Sequence, residues 1–92
     1  MHRYLVTRTF PDGLRIPAGA DGRTAMAGIV GNNTHDLVTW LHSYVSADRR
    51  RTYCVYDGPS PEAVRRAAQR NGLPVDAITE VSVLDPYFST AS

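Results

Sequence analysis

The chain has 92 residues, 42% hydrophobic and 21% charged, with a formal net charge of +1. Those values suit one globular domain over 1–92 and exclude a mostly disordered chain. The balanced charge gives no electrostatic case for nucleic acid or a membrane surface as partner, and the ten basic residues are all arginine, so no side-chain amine exists for Schiff-base chemistry.

No apolar run approaches the roughly 20 residues that cross a bilayer. Met1-His2-Arg3-Tyr4-Leu5-Val6 lacks the apolar core and cleavage site of a signal peptide. Cys54 is the only cysteine and cannot form an intrachain disulfide. Together these features lead us to expect a cytoplasmic protein. The sequon Asn32-Asn33-Thr34 is read as chance.

Tyr4 to Thr9 is β-branched and aromatic, and Phe10-Pro11-Asp12-Gly13 ends it with a turn; this is strand one. Leu14 to Gly22, with Pro17 and Gly19, reads as a loop. Arg23 to Asn33 has Met26, Ile29 and Val30 at helical spacing. Gly28 and Gly31 weaken that helix by about 1 kcal/mol each relative to alanine, and their small size is expected to let it sit close to a sheet. Leu37 to Val45 and Arg51 to Asp57 are strands two and three, joined by a short polar hairpin. The run Arg49-Arg50-Arg51 is read as a solvated tip.

The second helix carries the clearest signals. Ser60 is its cap, Pro61 its first residue, and Glu62 stands near its positive end. Ala63, Val64, Ala67 and Ala68 form an apolar stripe; Arg65, Arg66, Gln69 and Arg70 form a wet face. Asn71-Gly72 closes it, with Pro74 soon after. Ala77 to Leu84 is strand four, stopped by Asp85-Pro86. The order strand, helix, strand, strand, helix, strand, with right-handed crossovers, implies an α+β ferredoxin-like βαββαβ fold. Its four-stranded antiparallel sheet has both helices on one face.

The other sheet face must then meet water, a ligand or a second subunit. Strand alternation puts Trp40, His42 and Tyr44 on one face of strand two, and Thr52, Cys54 and Tyr56 on one face of strand three. A hairpin centred near Asp48 brings His42 and Cys54 to the same face. Leu41, Val45, Tyr53 and Val55 are the expected inward set, because an imidazole and phenols are harder to satisfy under helices.

Three readings of the polar set compete. His42 and Cys54 could hold nickel, copper or zinc, with a second copy completing the donors. They could be a base and nucleophile, though no oxyanion hole or orienting group is evident. The face could be an aromatic dimer interface with an inert thiol. On residues alone the third carries most weight. His2 is terminal and expected to be mobile. His35 is expected to serve the negative end of helix one. Asp85-Pro86-Tyr87-Phe88 could dock on a partner or cover an edge.

Val38-Thr39-Trp40-Leu41-His42-Ser43-Tyr44-Val45-Ser46 resembles the WVHSYVS segment of a family of small bacterial proteins long labelled a domain of unknown function, which includes a nickel-binding protein of actinomycetes. Tyr53-Cys54-Val55-Tyr56-Asp57 resembles its CVYDAP segment. Asn71-Gly72-Leu73-Pro74-Val75-Asp76 with Ile78-Thr79-Glu80-Val81, Leu84-Asp85-Pro86-Tyr87, and Tyr4-Leu5-Val6 with Arg8-Thr9-Phe10-Pro11 are similar to further segments. The resemblance implies a ferredoxin-like fold, a homodimer and a bound metal ion, nickel. Carried over by position, His42, Tyr44, Cys54 and Glu80 are the candidate metal residues. The family has glutamate where this chain has Thr7, which removes a carboxylate near the site.

The reading adopted is a small dimeric nickel-binding protein with a His/Cys/Tyr cluster on the sheet, and no catalytic residue. The competing reading is a cofactor-free dimeric enzyme of the small monooxygenase type, with Trp40, His42 and Tyr44 lining a pocket. A pocket under the helices favours the enzyme, and a polar cluster on the open face favours the metal.

Overall fold

A computed structural model describes residues 1–15 and 19–87. The elements run β1 (His2–Thr9), α1 (Gly19–Thr34), β2 (Thr39–Val45), β3 (Arg51–Gly58), α2 (Pro61–Asn71) and β4 (Ala77–Val81). The strands form one antiparallel sheet in the order β2-β3-β1-β4. This is the expected α+β ferredoxin-like layout. Strand four is shorter than expected, ending at Val81, and α1 begins inside the stretch read as a loop. Pro17 of that loop and Phe88 of the last motif lie outside the described residues.

Tyr4 and Val6 of β1 alternate inward and meet Cys54 and Tyr56 of β3. Ala63, Val64 and Ala67 of α2 close over them. Burying a side chain such as Val6 or Val64 is worth about 1.5–3 kcal/mol. The Ser60 hydroxyl accepts from the Ala63 backbone N–H, and Gly72 ends the helix in the left-handed region at φ 65°. At Gly58 a Cβ would lie 3.2 Å from Val64 Cγ2, so glycine lets α2 approach β3.

Helix α1 behaves differently from expectation. A Cβ at Gly28 or Gly31 would meet nothing within 4 Å, so neither glycine serves close packing. The helix is held at its C-terminal end instead. Asn71 Nδ2 donates to Asn33 Oδ1 at 3.0 Å, and Arg66 and Arg70 pair with Asp36 at 3.1 and 2.9 Å. Two arginines read as part of a wet face thus clamp α2 to the end of α1. Further back, Met26 and Ile29 are only half-buried and stand over a cavity.

The β2–β3 hairpin decides where the candidate residues lie. Asp48 accepts from the Ser46 hydroxyl and the Arg50 backbone N–H, and Arg49 adopts φ 61°. The resulting register pairs Tyr44 with Tyr53, Ser43 with Cys54 and His42 with Val55. That is one residue off the expected pairing, and a one-residue slip exchanges the faces. A second irregularity lies between Trp40 and His42: Trp40 pairs with Tyr56 while Leu41 is left without an opposite residue, as in a β-bulge.

Candidate functional site

The register and bulge separate residues that simple alternation put together. His42 and Tyr44 stand on the uncovered face, exposed, with ring centroids 5.3 Å apart in an edge-to-face arrangement. Tyr53 and Val55, expected inside, flank them on β3; Leu5 and Thr7 continue the surface across β1. All four are half-buried with no helix over them. At one end of this face Arg3 Nε pairs with Asp57 at 3.1 Å. Of the expected inward set, Val45 lies on the helix side but is exposed, and Leu41 is exposed at the bulge.

Trp40, Ser43 and Cys54 lie on the opposite face, under α1. Cys54 is a free thiol, 7% exposed. The expectation that His42 and Cys54 share a face is therefore corrected: a sheet separates them. The pocket expected to hold Trp40, His42 and Tyr44 together does exist, with a volume of about 350 Å3, but only Trp40 lines it. The Trp40 indole N–H donates to Ser43 Oγ at 2.8 Å.

The cavity holds one residue that the sequence reading passed over. Arg8 is in phase with Tyr4 and Val6 on β1 and is 2% exposed. Its guanidinium carbon lies 5.6 Å from the centroid of the Tyr56 ring. Its Nε and Nη1 are buried without hydrogen-bond partners, as is the hydroxyl of Thr52. Burial pushes the Tyr56 phenol up, partly offset by the Arg8 charge. A buried guanidinium without an ion-pair partner is costly to hold, and the Tyr56 ring face offsets only part of that cost. The signal that finds Arg8 is the strict alternation Tyr4, Val6, Arg8.

Glu80 occupies a third place. It pairs with Tyr4 across β1–β4, and its Oε2 lies 3.6 Å from His2 Nδ1 at the sheet edge. His2, expected to be mobile, is the first residue of β1. Burial, with the charges of Glu80 and Glu62, pushes the Tyr4 phenol up. His35 is exposed in the turn after α1.

The four residues carried over from the resemblance thus divide among the open face (His42, Tyr44), the cavity (Cys54) and the edge (Glu80). Among the described residues, no group of three or more His, Cys, Asp or Glu side chains converges to hold a metal ion. One chain offers two donors at a point: His42 beside Tyr44, or His2 beside Glu80. Nickel takes nitrogen and oxygen donors of these types, so the residues fit a metal only as half-sites. Among the described residues, no helix is long and apolar enough to cross a membrane.

Comparison with known proteins supplies the relationship. The family model described as nickel responsive protein SCO4226-like matches residues 4–81. The chain belongs to that family. It resembles the crystal structure of SCO4226 from Streptomyces coelicolor A3(2) with a TM-score of 0.69 at 21% identity, covering 90% of this chain and 99% of that one. At that identity the likeness concerns the fold. No curated protein matches the chain. The family match runs from β1 to the end of β4 and so includes all four candidate residues.

Proposed function

We propose that this chain is a homodimeric, nickel-binding member of the nickel-responsive family, with a site shared between two copies that meet through their open sheet faces. His42 is the imidazole ligand, and Tyr44 lies beside it as a weak donor or a hydrogen-bonding partner. The observation that carries this reading is the exposed His42–Tyr44 pair on a face that neither helix covers. A pair of donors is too few for a transition metal, and a second copy related by a two-fold axis doubles the set. Cys54 is left out of this site because it lies beneath the sheet.

A second reading rests on a separate observation. His2 and Glu80 present an imidazole and a carboxylate 3.6 Å apart at an exposed edge. That is a harder, more anionic donor pair than His42 with Tyr44.

Calorimetric titration of untagged protein with nickel chloride separates the two. Wild type binds nickel, and His42→Ala weakens binding by at least about tenfold, roughly 1.4 kcal/mol, while His2→Ala leaves it unchanged. Affinity falls as the pH drops, because protons compete with the metal for the imidazole. Loss of binding in His2→Ala with none in His42→Ala moves the site to the edge. No binding by wild type refutes both.

A further inference from the structure

We propose that the cavity between the sheet and α1 binds a small organic monocarboxylic acid, its carboxylate on Arg8 and its apolar body against Trp40, Met26 and Ile29. This site is independent of the nickel reading and lies on the other face of the sheet.

The argument starts from Arg8. An arginine is the side chain least suited to an apolar interior, because it carries a permanent positive charge and five N–H donors. Here it is 2% exposed, and two of its nitrogens have no partner. The Tyr56 ring at 5.6 Å supplies a π-face but accepts none of the N–H groups at Nε and Nη1. Among the described residues no ion pair involves Arg8; the ion pairs there use Asp36, Asp57 and Glu80 elsewhere. A second buried donor without a partner, the Thr52 hydroxyl, lines the same space. Buried polar groups left open in this way point to a ligand that satisfies them.

The cavity itself sets the remainder of the ligand. Beyond Arg8 and Thr52 its wall is largely apolar, with Phe10, Met26, Ile29, Trp40 and Leu73, and a second arginine, Arg15, lines it from an exposed position. Its volume of about 350 Å3 is roughly twice that of an apolar cavity that takes benzene, so it suits a ligand of about ten to fourteen heavy atoms. A guanidinium binds a carboxylate through two parallel hydrogen bonds. A compact anionic head on an apolar body matches both parts of the cavity; a free phosphate or a sugar matches only one.

The chain contains a single tryptophan, and it lines this cavity, so its fluorescence reports on occupancy directly. Octanoate, which does not absorb where tryptophan does, is titrated into metal-free protein alongside octanamide, its uncharged analogue of equal size. Octanoate is expected to shift the Trp40 emission saturably, and octanamide to bind at least about tenfold more weakly. Arg8→Met is expected to bind octanoate no better than octanamide. Equal affinity for the acid and the amide in the wild type overturns the assignment of Arg8 as anchor. Absence of any shift overturns the site. The acid–amide comparison needs no variant and decides the matter even where Arg8→Met does not fold.

Discussion

Asp36 links the two helices and makes the fold sensitive to acid. Its side chain is 5% exposed. Burial alone raises a carboxyl, but hydrogen bonds and charge from Arg70 and Arg66 outweigh it, and the group is held below its ordinary range. A carboxylate lowered by folding contributes stability that is complete above its unfolded value, about pH 3.9. That contribution is lost as the pH falls through the lower, folded value. Asp36→Asn is therefore expected to lower the thermal midpoint at neutral pH and to flatten the loss of stability below about pH 4. Asp48, lowered by the Ser46 hydroxyl and the Arg50 backbone, leaves part of that acid slope in the variant. An unchanged slope in acid-titration melts excludes Asp36 as its source. Thr7 offers a test of the metal reading. It opposes Tyr53 on the open face, and Tyr53 opposes Tyr44. Thr7→Glu adds a carboxylate to the proposed shared site and should tighten nickel binding in calorimetry; weaker or unchanged binding places Thr7 outside it. Arg8 was not legible because an arginine on a strand reads as solvated, and only its phase with Tyr4 and Val6 marks it as inward.

The elements differ in how far composition determined them. Helix α2 has a capping serine, a proline at its first position, an alanine stripe and a terminal glycine, and each acts locally; its limits and buried face followed from the sequence. The order of all six elements was legible for the same reason. Strand two was not, since a bulge between Trp40 and His42 shifts alternation by one and sends Trp40 to the helix side. Nothing in Trp40-Leu41-His42 announces a bulge, and the hairpin register depends on hydrogen bonds among Ser46, Asp48 and Arg50. The two errors reassigned the site: Trp40 and Cys54 line the cavity, while His42 and Tyr44 face outward. Helix α1, expected from Arg23, begins four residues earlier at Gly19, and its glycines do not serve close packing. With open space around both, Gly28→Ala and Gly31→Ala should each stabilise the helix by about 1 kcal/mol. For a chain of this size that raises the melting midpoint by about 4–8 °C per substitution, read by circular dichroism. A fall in the midpoint in either variant means that a neighbour approaches the helix there.

At the scale of the molecule, the described residues cover the sheet on one side only. The covered side carries Tyr4, Val6, Cys54 and Tyr56. The other carries Leu5, Tyr53 and Val55, half-buried, with Tyr44 63% exposed. A contiguous apolar and aromatic strip of this kind is rarely left to water on a small domain, and a chain of this length gains core by pairing. The proposed dimer packs two such faces together, as sheet stacks on sheet about 10 Å apart. Leu5 lies at the middle of the strip, between Val55 and Thr79. Its side chain faces away from the core, so a charge there leaves the folded monomer nearly intact but is buried unpaired when two faces meet. Wild type is expected to run as a dimer at micromolar concentration in light scattering, and Leu5→Asp as a monomer with an unchanged far-ultraviolet spectrum. If nickel binding depends on both copies, Leu5→Asp also loses it while keeping His42. A variant that stays dimeric moves the interface to another surface, and one that is monomeric yet binds nickel with wild-type affinity confines the metal site to a single chain.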